Sequence, residues 1–385
     1  MKKVALMGLV GWDNYGEQFL AKTVDYLVGE QYETKPIDFR PFQLRFRYLI
    51  YAGMVAITNL FPGKHKPYPL ILFGVKLWTK RYYRKQLKDC DALIFACGSY
   101  KYGTQKLWAH YAVAIDTAQK LGIPVMFNAM NVQKYNGTDW RCRCLTHYSN
   151  YPCVKMFTTR DGEVGVKRLK KDYLKNEHVP VIAVGDAAFW IPECYNVQRK
   201  QEHDVIGINL IRGDVFADYG YSVTEMQLAD LYCDLLKLLD EKELKWELFT
   251  NGLDVDYKFG QTVLKQYGKE DISIRVPNSD RDLVLMISGY KSVVGSRLHA
   301  CICAYSLNVP FVGFIWDEKL VRFSEIIDRK DYFVSEDQMQ AELLYEKLVA
   351  ACENECDSEL RTRWKMLTKK TIRQFLTHAG TVEKE

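Results

Sequence analysis

The sequence predicts an α/β protein of two lobes, each a parallel sheet with helices on its faces. Short apolar runs alternate with amphipathic stretches along the chain, which is the pattern of repeated strand–helix units on parallel sheets. The chain has 385 residues, and this length favours two domains over a single core. A polar stretch near residues 195–204 separates two such series. We therefore expect two Rossmann-like lobes.

The first series predicts an N-terminal lobe over residues 1–195. Its apolar runs predict strands at Lys3–Gly8, Ala92–Ala96, Pro124–Asn128, Met156–Thr159 and Val181–Val184. The amphipathic stretches between them predict helices at Gln18–Gly29, Trp108–Lys120 and Val166–Tyr173.

The second series predicts a C-terminal lobe over residues 196–350. Strands are expected at Val205–Leu210, Trp246–Thr250, Ser292–Gly295 and Phe311–Ile315. Helices are expected at Glu225–Glu241, Asp256–Gln266 and Leu298–Leu307. Within residues 351–385, the amphipathic stretch Ser358–Thr377 predicts a last helix, and one hypothesis has this helix returning to the first lobe.

The composition is that of a soluble globular protein, with 48% hydrophobic and 26% charged residues. The first residues run directly into a predicted strand without the pattern of a signal peptide, so we expect a cytoplasmic protein. Its eleven cysteines suit a reducing compartment. Cys142, Cys144, His147 and Cys153 are close in sequence, but a C-x-C pair has poor spacing for zinc. No metal site is expected.

A basic, aromatic insertion occupies residues 39–88. Between Arg40 and Lys88 there are eleven Lys and Arg and no Asp or Glu, although the whole chain carries only +5. Basic character is therefore confined to one segment, which does not favour nucleic-acid binding. The apolar run Tyr48–Phe61 is too short to span a membrane. Two interpretations remain open: a helix pair at the inner face of an anionic membrane, beside a lipid-linked acceptor, or helices packed on the first sheet.

Loops that follow strands should carry the chemistry, because ligands of open α/β sheets bind outside the carboxyl ends of the strands. The first such loop, Gly8–Glu17, lacks the G-x-G-x-x-G pattern of dinucleotide sites. The second, Ala96–Gly103, again contains glycines. Thr158–Gly162 and Val184–Phe189 present charged residues just after a strand. Each loop alone is equally compatible with a capped turn.

The most informative stretch is Val294–Ala300, where Arg297 and His299 lie at the opening of an apolar helix. An Arg side chain and a helix N-terminus together can hold a phosphate or carboxylate. A neighbouring His can transfer protons near neutral pH. The combination favours a functional site over a capped helix with a buried His.

These residues resemble the polysaccharide pyruvyl transferase family. The similarity rests on Ser296-Arg297-Leu298-His299-Ala300, followed by Asn308–Gly313 and Asp317-Glu318-Lys319. Asn14-Tyr15-Gly16-Glu17 is similar to the family's Asn-x-Gly-Asp/Glu, Gly98-Ser99 to its second glycine loop, Arg160-Asp161 to its Arg-Asp pair and Asp186 to its later strand-end Asp. The match runs in order over about residues 3–328. Cys97 and Glu17 depart from common family residues and put the acceptor fit in doubt.

The resemblance implies a GT-B-like fold with the active site in the cleft between the lobes. It also implies transfer of the pyruvyl group of phosphoenolpyruvate to two sugar hydroxyls as a cyclic ketal, without a cofactor or metal. Arg160, Arg297 and Lys319 are the candidates for binding the anionic donor. His299 is the candidate acid or phosphate partner. The candidates for binding or deprotonating the acceptor are Asp13, Asn14, Glu17 and Asp186, with Gly16, Gly98, Ser99 and Leu298 shaping the site.

Two other functions stay open at this point. A nucleotide-sugar glycosyltransferase could share the two-lobed fold. A catalytically silent binding subunit of a polysaccharide assembly complex could retain the same loops but would not release phosphate.

Overall fold

The computed structural model of the chain describes residues 1–8, 15–39, 45–61, 66–103, 106–200 and 204–379. The chain divides into two compact units. Unit 1 comprises residues 1–11, 20–186 and 366–385, and unit 2 comprises residues 12–19 and 187–365. The division at Asp186 lies before the polar stretch from which the sequence predicted it, and the end of the chain belongs with unit 1.

Unit 1 is built on a parallel sheet. In the described residues its strands are β1 (Lys2–Gly8), β2 (Tyr32–Asp38), β3 (Ala92–Phe95), β4 (Ser99–Tyr100), β5 (Val125–Val132), β6 (Val154–Thr159) and β7 (Val181–Ala183). They are arranged in the order β2-β1-β3-β5-β6-β7, with β4 pairing with β5. Every residue of β5 is buried, as expected for a central strand covered on both faces.

The edge strand β2 was not predicted from the sequence. Its residues, Tyr32-Glu-Thr-Lys-Pro-Ile-Asp, include three charged side chains and a proline, and they are only partly buried. Within the described ranges of the chain, β2 pairs only with β1. An edge strand tolerates charge and proline because one side of its backbone makes no ladder hydrogen bonds, so it lacks the continuous apolar run by which the inner strands were recognised.

Helices connect these strands. They are α1 (Tyr15–Val28), α2 (Arg45–Asn59), α3 (Tyr68–Leu87), α4 (Leu107–Lys120), α5 (Trp140–Ser149) and α6 (Gly162–Arg168). The helix predicted at Val166–Tyr173 is therefore the end of α6 and a π-helical turn at Leu169–Tyr173. α2 and α3 form the insertion and pack closely, since a Cβ added at Gly74 would lie 2.9 Å from the sulfur of Met54.

Unit 2 contains a second parallel sheet in the order β12-β11-β10-β8-β9. Its strands are β8 (Val205–Asn209), β9 (Lys245–Phe249), β10 (Ser292–Gly295), β11 (Phe311–Phe314) and β12 (Phe333–Val334). Its helices are α7 (Ile191–Tyr195), α8 (Val215–Asp218), α9 (Glu225–Glu241), α10 (Asp254–Tyr267), α11 (Asp280–Ser288), α12 (Leu298–Ser306), α13 (Glu318–Ile326) and α14 (Ala341–Glu353). The last helix, α15 (Ser358–Ala379), contains the boundary at residues 365–366. The prediction of two parallel α/β sheets is confirmed.

Candidate functional site

The centre of the candidate site in unit 2 is the turn from β10 into α12. β10 lies between β8 and β11 in the sheet, and Arg297 is the N-cap residue of α12 with an extended backbone, φ −104° and ψ 136°. His299 lies in the first turn of α12 and is buried. The turn therefore brings an arginine, a histidine and a helix N-terminus to the carboxyl end of an inner strand, where ligands of such sheets bind.

Arg297 is held by a buried carboxylate that the sequence analysis did not single out. Its Nε and Nη2 atoms donate to the two carboxylate oxygens of Asp256, both at 2.5 Å. Asp256 is fully buried on α10 and also accepts the backbone N–H of Arg212 at 2.9 Å. This two-bond geometry fixes the plane of the guanidinium. Among the described residues, the Arg297 side chain makes hydrogen bonds only through its Nε and Nη2 atoms.

Two buried asparagines connect the Arg297 turn to the start of α1. The backbone N–H of Arg297 donates to Oδ1 of Asn209 at 3.0 Å, and Nδ2 of Asn209 donates to Oδ1 of Asn251, also at 3.0 Å. The backbone carbonyl of Asn251 accepts the N–H of Tyr15 at 3.1 Å. These bonds lie within unit 2, to which residues 12–19 belong. The network thus anchors the first residues of α1 beside the loops that follow β8, β9 and β10.

Gly16 lies against His299. A Cβ atom added at Gly16 would be 2.5 Å from Cβ of His299 and 2.9 Å from its Cγ and Nδ1, so only glycine allows this approach. Glu17 is in the first turn of α1 and is partly buried. The other two residues predicted for this loop, Asp13 and Asn14, lie outside the described residues. The structure therefore brings Gly16, Glu17 and His299, predicted from distant parts of the sequence, into one neighbourhood.

Lys319 lies at the start of α13, after β11. Asp317 is the N-cap and accepts the backbone N–H of Lys319 at 3.2 Å, and its carboxylate is 3.6 Å from Nζ of Lys319. The same Nζ is 4.4 Å from the ring centroid of Trp316. Trp316 donates its indole N–H to the carbonyl of Ser296 at 2.6 Å. This bond ties the loop after β11 to the Arg297 turn, so Lys319 and Arg297 belong to one structural cluster.

Two tyrosines contact the residues around Arg297 in unit 2. The hydroxyl groups of Tyr232 and Ser296 are 2.6 Å apart, and burial raises the pKa of Tyr232. Burial, reinforced by the nearby carboxylate of Asp317, also raises the pKa of Tyr219, whose ring packs edge-on against Trp316 at 5.0 Å. Both tyrosines are therefore neutral at physiological pH.

In unit 1, the structure brings together three further predicted residues. Arg160 and Asp186, both buried, form an ion pair. Gly98 has φ +61°, and an added Cβ would lie 3.1 Å from Nη1 of Arg160 and 2.8 Å from Cδ1 of Leu20. Glycine is thus required at position 98 both for its left-handed backbone and for the close approach of Arg160. Ser99, the next residue, begins β4 and is partly buried.

Asp161, next to Arg160, is held by hydrogen bonds from the end of β5. Its carboxylate accepts two bonds from Nδ2 of Asn131 at 2.9 and 3.1 Å, and the N–H of Val132 at 2.5 Å. Desolvation nevertheless raises the pKa of Asp161, because its burial outweighs these bonds and the charge of Arg160. Asp161 holds the loop after β6 against the end of β5.

The second half of β5 contains a backbone outlier that the sequence did not reveal. Ala129 has φ +49°, an uncommon conformation for a residue with a Cβ, and the β5–β6 register is interrupted between Phe127 and Met130. The N–H of Ala129 donates to the hydroxyl of Thr158 at 2.7 Å. Such strain often accompanies functional sites, and here it falls in the second half of β5, a central strand.

Cys97 participates in a buried hydrogen-bond chain. The hydroxyl of Tyr111 donates to the carbonyl of Ser99 at 2.6 Å, and the Cys97 sulfur lies 2.6 Å from the same hydroxyl. Because Tyr111 uses its hydrogen on Ser99, the Cys97 thiol is the donor to Tyr111. Cys97 thus supports the shape of the second glycine loop from the buried side.

The cysteines near His147 in the sequence are buried side chains. Cys142 lies 3.8 Å from the hydroxyl of Tyr173, and burial raises the pKa of Cys144 and of Cys153 to about 12. In the part of the chain that the structure describes, no group of three or more His, Cys, Asp or Glu side chains is arranged to hold a metal ion. Over the same residues, none of the helices combines the length and hydropathy needed to cross a bilayer.

Solved structures with a similar fold include nucleotide-sugar enzymes. UDP-GlcNAc 2-epimerase from Methanocaldococcus jannaschii is 11% identical with a TM-score of 0.59, covering 98% of this chain and 100% of that chain. The enzyme from Neisseria meningitidis, bound to UDP-GlcNAc, is 12% identical with a TM-score of 0.57, covering 98% and 100%. A UGT transferase from Siraitia grosvenorii in complex with UDP is 10% identical with a TM-score of 0.52, covering 99% and 100%. At these identities the likeness concerns the fold alone.

The two parallel sheets and these neighbours define the class as a GT-B-like α/β protein. Residues 14–318 match the family model of the polysaccharide pyruvyl transferases. The chain belongs to this family, and it is therefore a transferase of the pyruvyl transferase kind. No curated protein sequence matches the chain.

Proposed function

We propose that this protein transfers the pyruvyl group of phosphoenolpyruvate to two hydroxyls of a sugar, forming a cyclic ketal and releasing phosphate. The observation that carries the proposal is the Arg297 cluster in unit 2. There a guanidinium aligned by Asp256 lies at a helix N-terminus, next to His299 and tied through Trp316 to Lys319. A donor with one phosphate and one carboxylate requires such a set of directed cationic and N–H groups.

The chemistry can be written as two additions to the same carbon. A sugar hydroxyl attacks C2 of phosphoenolpyruvate while a proton is added to the C3 methylene, which becomes the methyl group. The C–O bond to phosphate then breaks, and phosphate leaves with the bonding electron pair. A second hydroxyl attacks C2 and closes the ketal. Of the two hydroxyl protons, one balances the new methyl hydrogen and the other leaves with phosphate.

We assign donor binding to Arg297 and Lys319, and proton transfer or contact with the leaving phosphate to His299. A histidine suits this role because its ordinary pKa is near neutrality. Glu17 lies in the first turn of α1, which is close to His299 in space although distant in sequence. We propose it as the base for an acceptor hydroxyl, with Asp13 and Asn14 as further acceptor-binding candidates.

In unit 1 we assign a positioning role for the acceptor to Arg160 and Asp186. The charges of these two side chains neutralise each other in a buried pair. We therefore expect them to contact the acceptor through hydrogen bonds more than through a net charge. The loop of Gly98 and Ser99, shaped by the same arginine, is the proposed backbone contact for sugar hydroxyls. The proposed steps are proton transfers, two additions and the departure of phosphate, so we expect no cofactor requirement and no loss of rate on treatment with EDTA.

The test is a thermal shift followed by an activity assay. Phosphoenolpyruvate at a hundredfold excess over its dissociation constant should stabilise the protein by about 2.7 kcal/mol. Arg297→Gln should abolish this shift, whereas Arg275→Gln, at an exposed arginine of unit 2 paired with Glu247, should not change it. Phosphate release that requires both phosphoenolpyruvate and a glycan acceptor would then establish turnover. Stabilisation by UDP but not by phosphoenolpyruvate would contradict the proposal and favour a glycosyltransferase.

We further propose that helices α2 and α3 place the enzyme on an anionic membrane surface. Nearly half of the exposed large hydrophobic side chains in the described part of the chain lie between residues 48 and 77. On α2 and just after it, Leu49 and Leu60 are 66% and 80% exposed, and on α3 Phe73 is 52% exposed. Exposed Lys80 and Arg84 continue the Phe73 face of α3 toward its C-terminus. Apolar residues with flanking cations are typical of interfacial helices.

The length of α2 favours contact with the surface over insertion across the bilayer. Its 15 residues extend about 22 Å, which is short of the ~30 Å hydrocarbon core. Co-sedimentation with phosphatidylcholine vesicles containing phosphatidylglycerol should therefore exceed that with phosphatidylcholine alone and fall at high salt. Leu49→Ser with Leu60→Ser should reduce it, and Met226→Ser, at an exposed hydrophobic residue of α9, should not. Equal binding by all variants would contradict the membrane proposal.

A further inference from the structure

Unit 1 contains a cavity of about 460 Å³ between the insertion and the loop after β4. It is lined by α2, by residues of α3, and by Tyr102, Gly103 and Lys106 of the loop after β4. This volume lies in the range of small-molecule sites. The cavity is distinct from the Arg297 cluster, because all of its lining residues belong to unit 1.

One wall of the cavity is aromatic. Tyr51 stacks on Trp78 with ring centroids 5.1 Å apart and an interplanar angle of 24°, and Tyr48 packs edge-on against Trp78 at 5.2 Å. Tyr68 and Trp108 also line the space. Flat apolar rings with polar edges suit the alternating C–H and O–H faces of a sugar, which has both apolar and hydrogen-bonding surface.

An unused hydrogen-bond donor lies in this wall. Trp78 is only 2% exposed, and its indole N–H has no hydrogen-bond acceptor among the residues that the structure describes. A buried donor left without an acceptor is destabilising. Trp residues that are buried usually find a partner for this group. A ligand oxygen that reached this N–H would supply the missing acceptor.

The cavity is also cationic. Among the residues that the structure describes, its lining includes Lys66, Lys106 and Arg141 and no carboxylate side chain. Arg141 is already paired, since it donates to Asp139 at 2.6 Å and its guanidinium lies 4.6 Å from the ring of Tyr68. Lys106 lies with Nζ 5.7 Å from the ring centroid of Tyr51. Even with Asp139 counted, the lining keeps a positive formal charge, which favours an anionic group.

We propose that this cavity binds the phosphate-linked sugar of the acceptor, with the ring on the aromatic wall and the phosphate at Lys66 and Lys106. The inference rests on the proposed function, which supplies a sugar as the substrate. It adds that the acceptor carries a phosphate, either as a soluble sugar phosphate or as the head of a lipid. The position of the cavity beside exposed α2 suits the lipid form, and the experiment separates the two sources.

Titration calorimetry of the full chain would use glucose 1-phosphate, methyl α-glucoside and inorganic phosphate as probes. Polyprenyl phosphate in phosphatidylcholine vesicles would serve as the lipid-borne probe. Lys106 has φ +57°, so Lys106→Asn removes the charge with a residue that tolerates this backbone. Lys155→Gln is the matched control, because Lys155 is an exposed lysine of unit 1 outside the cavity. Trp78→Phe tests the indole donor.

Saturable binding of a phosphorylated probe, weakened at least about tenfold by Lys106→Asn and Trp78→Phe but unchanged by Lys155→Gln, would support the proposal. Binding of glucose 1-phosphate identifies a soluble source, and binding only from vesicles identifies a lipid-borne one. Failure of every phosphorylated probe, or equal binding by the Lys106→Asn protein, would overturn it. Equal affinity for inorganic phosphate and glucose 1-phosphate would overturn the role of the aromatic wall.

These outcomes are separable from the fate of the proposed function. Donor binding is read through the phosphoenolpyruvate-induced thermal shift and its loss in Arg297→Gln, in the other unit. A normal donor shift without sugar phosphate binding would overturn the cavity proposal alone. Binding of the sugar phosphate without a thermal shift from phosphoenolpyruvate would support the cavity as a glycan site and overturn the proposed pyruvyl transfer.

Discussion

Replacing Gly16 by alanine tests whether the contact between α1 and His299 matters for catalysis. The added methyl group would lie 2.5 Å from Cβ of His299 and 2.9 Å from two atoms of its ring. The nearest of these atoms is the first atom of the His299 side chain, which a rotamer change cannot move away. The substitution therefore has to separate the start of α1 from α12.

The size of the effect follows from this distance. Carbon atoms in contact are normally about 3.5 Å apart or more, so the two elements must separate by about 1 Å. Overpacking of this kind costs about 1–3 kcal/mol, and the better helix propensity of alanine returns up to about 1 kcal/mol. We expect a loss of stability of about 0–3 kcal/mol. A 1 Å misplacement of a catalytic group can reduce the rate about a hundredfold.

The assay measures the melting temperature and the rate of phosphate release for Gly16→Ala. Gly53→Ala is the matched control, since nothing lies within 4 Å of a Cβ added at Gly53 in α2, and it should retain the rate. A large loss of rate with a small loss of stability would support the role of His299. Wild-type kinetics for the Gly16→Ala protein, with normal affinity for phosphoenolpyruvate, would refute the reasoning.

Three further substitutions follow from single interactions. Asp256→Asn breaks the buried pair with Arg297 and should cost about 3 kcal/mol and weaken phosphoenolpyruvate binding in a thermal-shift titration, whereas Asp254→Asn, exposed on the same helix, should do neither. Gly98→Ala should cost about 2 kcal/mol by chemical unfolding, because position 98 has φ +61° and close neighbours. Desolvation opposes ionisation of Asp240, yet hydrogen bonds from a lysine, a tyrosine and a tryptophan lower its pKa to about 2. Its stabilisation is thus present above the unfolded pKa and lost as the pH falls through about 2, so Asp240→Asn should cost about 1 kcal/mol near pH 7, after allowance for solvent screening, and progressively less as the pH falls toward and below 2.

The inner strands could be predicted because each is a short apolar run that is buried on both faces. β1, β3, β8 and β10 all lie where such runs indicated, and the parallel arrangement follows from the helices between them. β2 could not be found in this way, because an edge strand keeps charged residues and a proline. The extension of β5 to Val132 was also missed, since it passes through the left-handed residue Ala129.

The candidate site was predictable where a loop follows a strand and carries a charged residue, as at Arg297 and Arg160. Its supporting residues were not. Asp256 lies in the first turn of a helix, where acidic residues are common because they stabilise the helix N-terminus. Only the fold shows that it contacts Arg297, 41 residues away. Asn209 lies at the end of an apolar strand, and its bond to the Arg297 N–H spans 88 residues. No local pattern encodes such long-range pairs, so the geometry of the site required the structure.

The pairing of the charges has a consequence for how the donor is bound. Each cation assigned to the donor has an aspartate partner in its own unit: Arg297 with Asp256 and Lys319 with Asp317. The charges are thus largely compensated before a ligand arrives, so phosphoenolpyruvate should be held by aligned hydrogen bonds more than by net charge. Interactions of that kind inside a buried network are only weakly screened by salt. We therefore expect the dissociation constant for phosphoenolpyruvate, measured by titration calorimetry, to change less than about threefold between low and physiological ionic strength. A steep rise with salt would instead mean that uncompensated cations dominate donor binding, and that the aspartate partners release them when the donor binds.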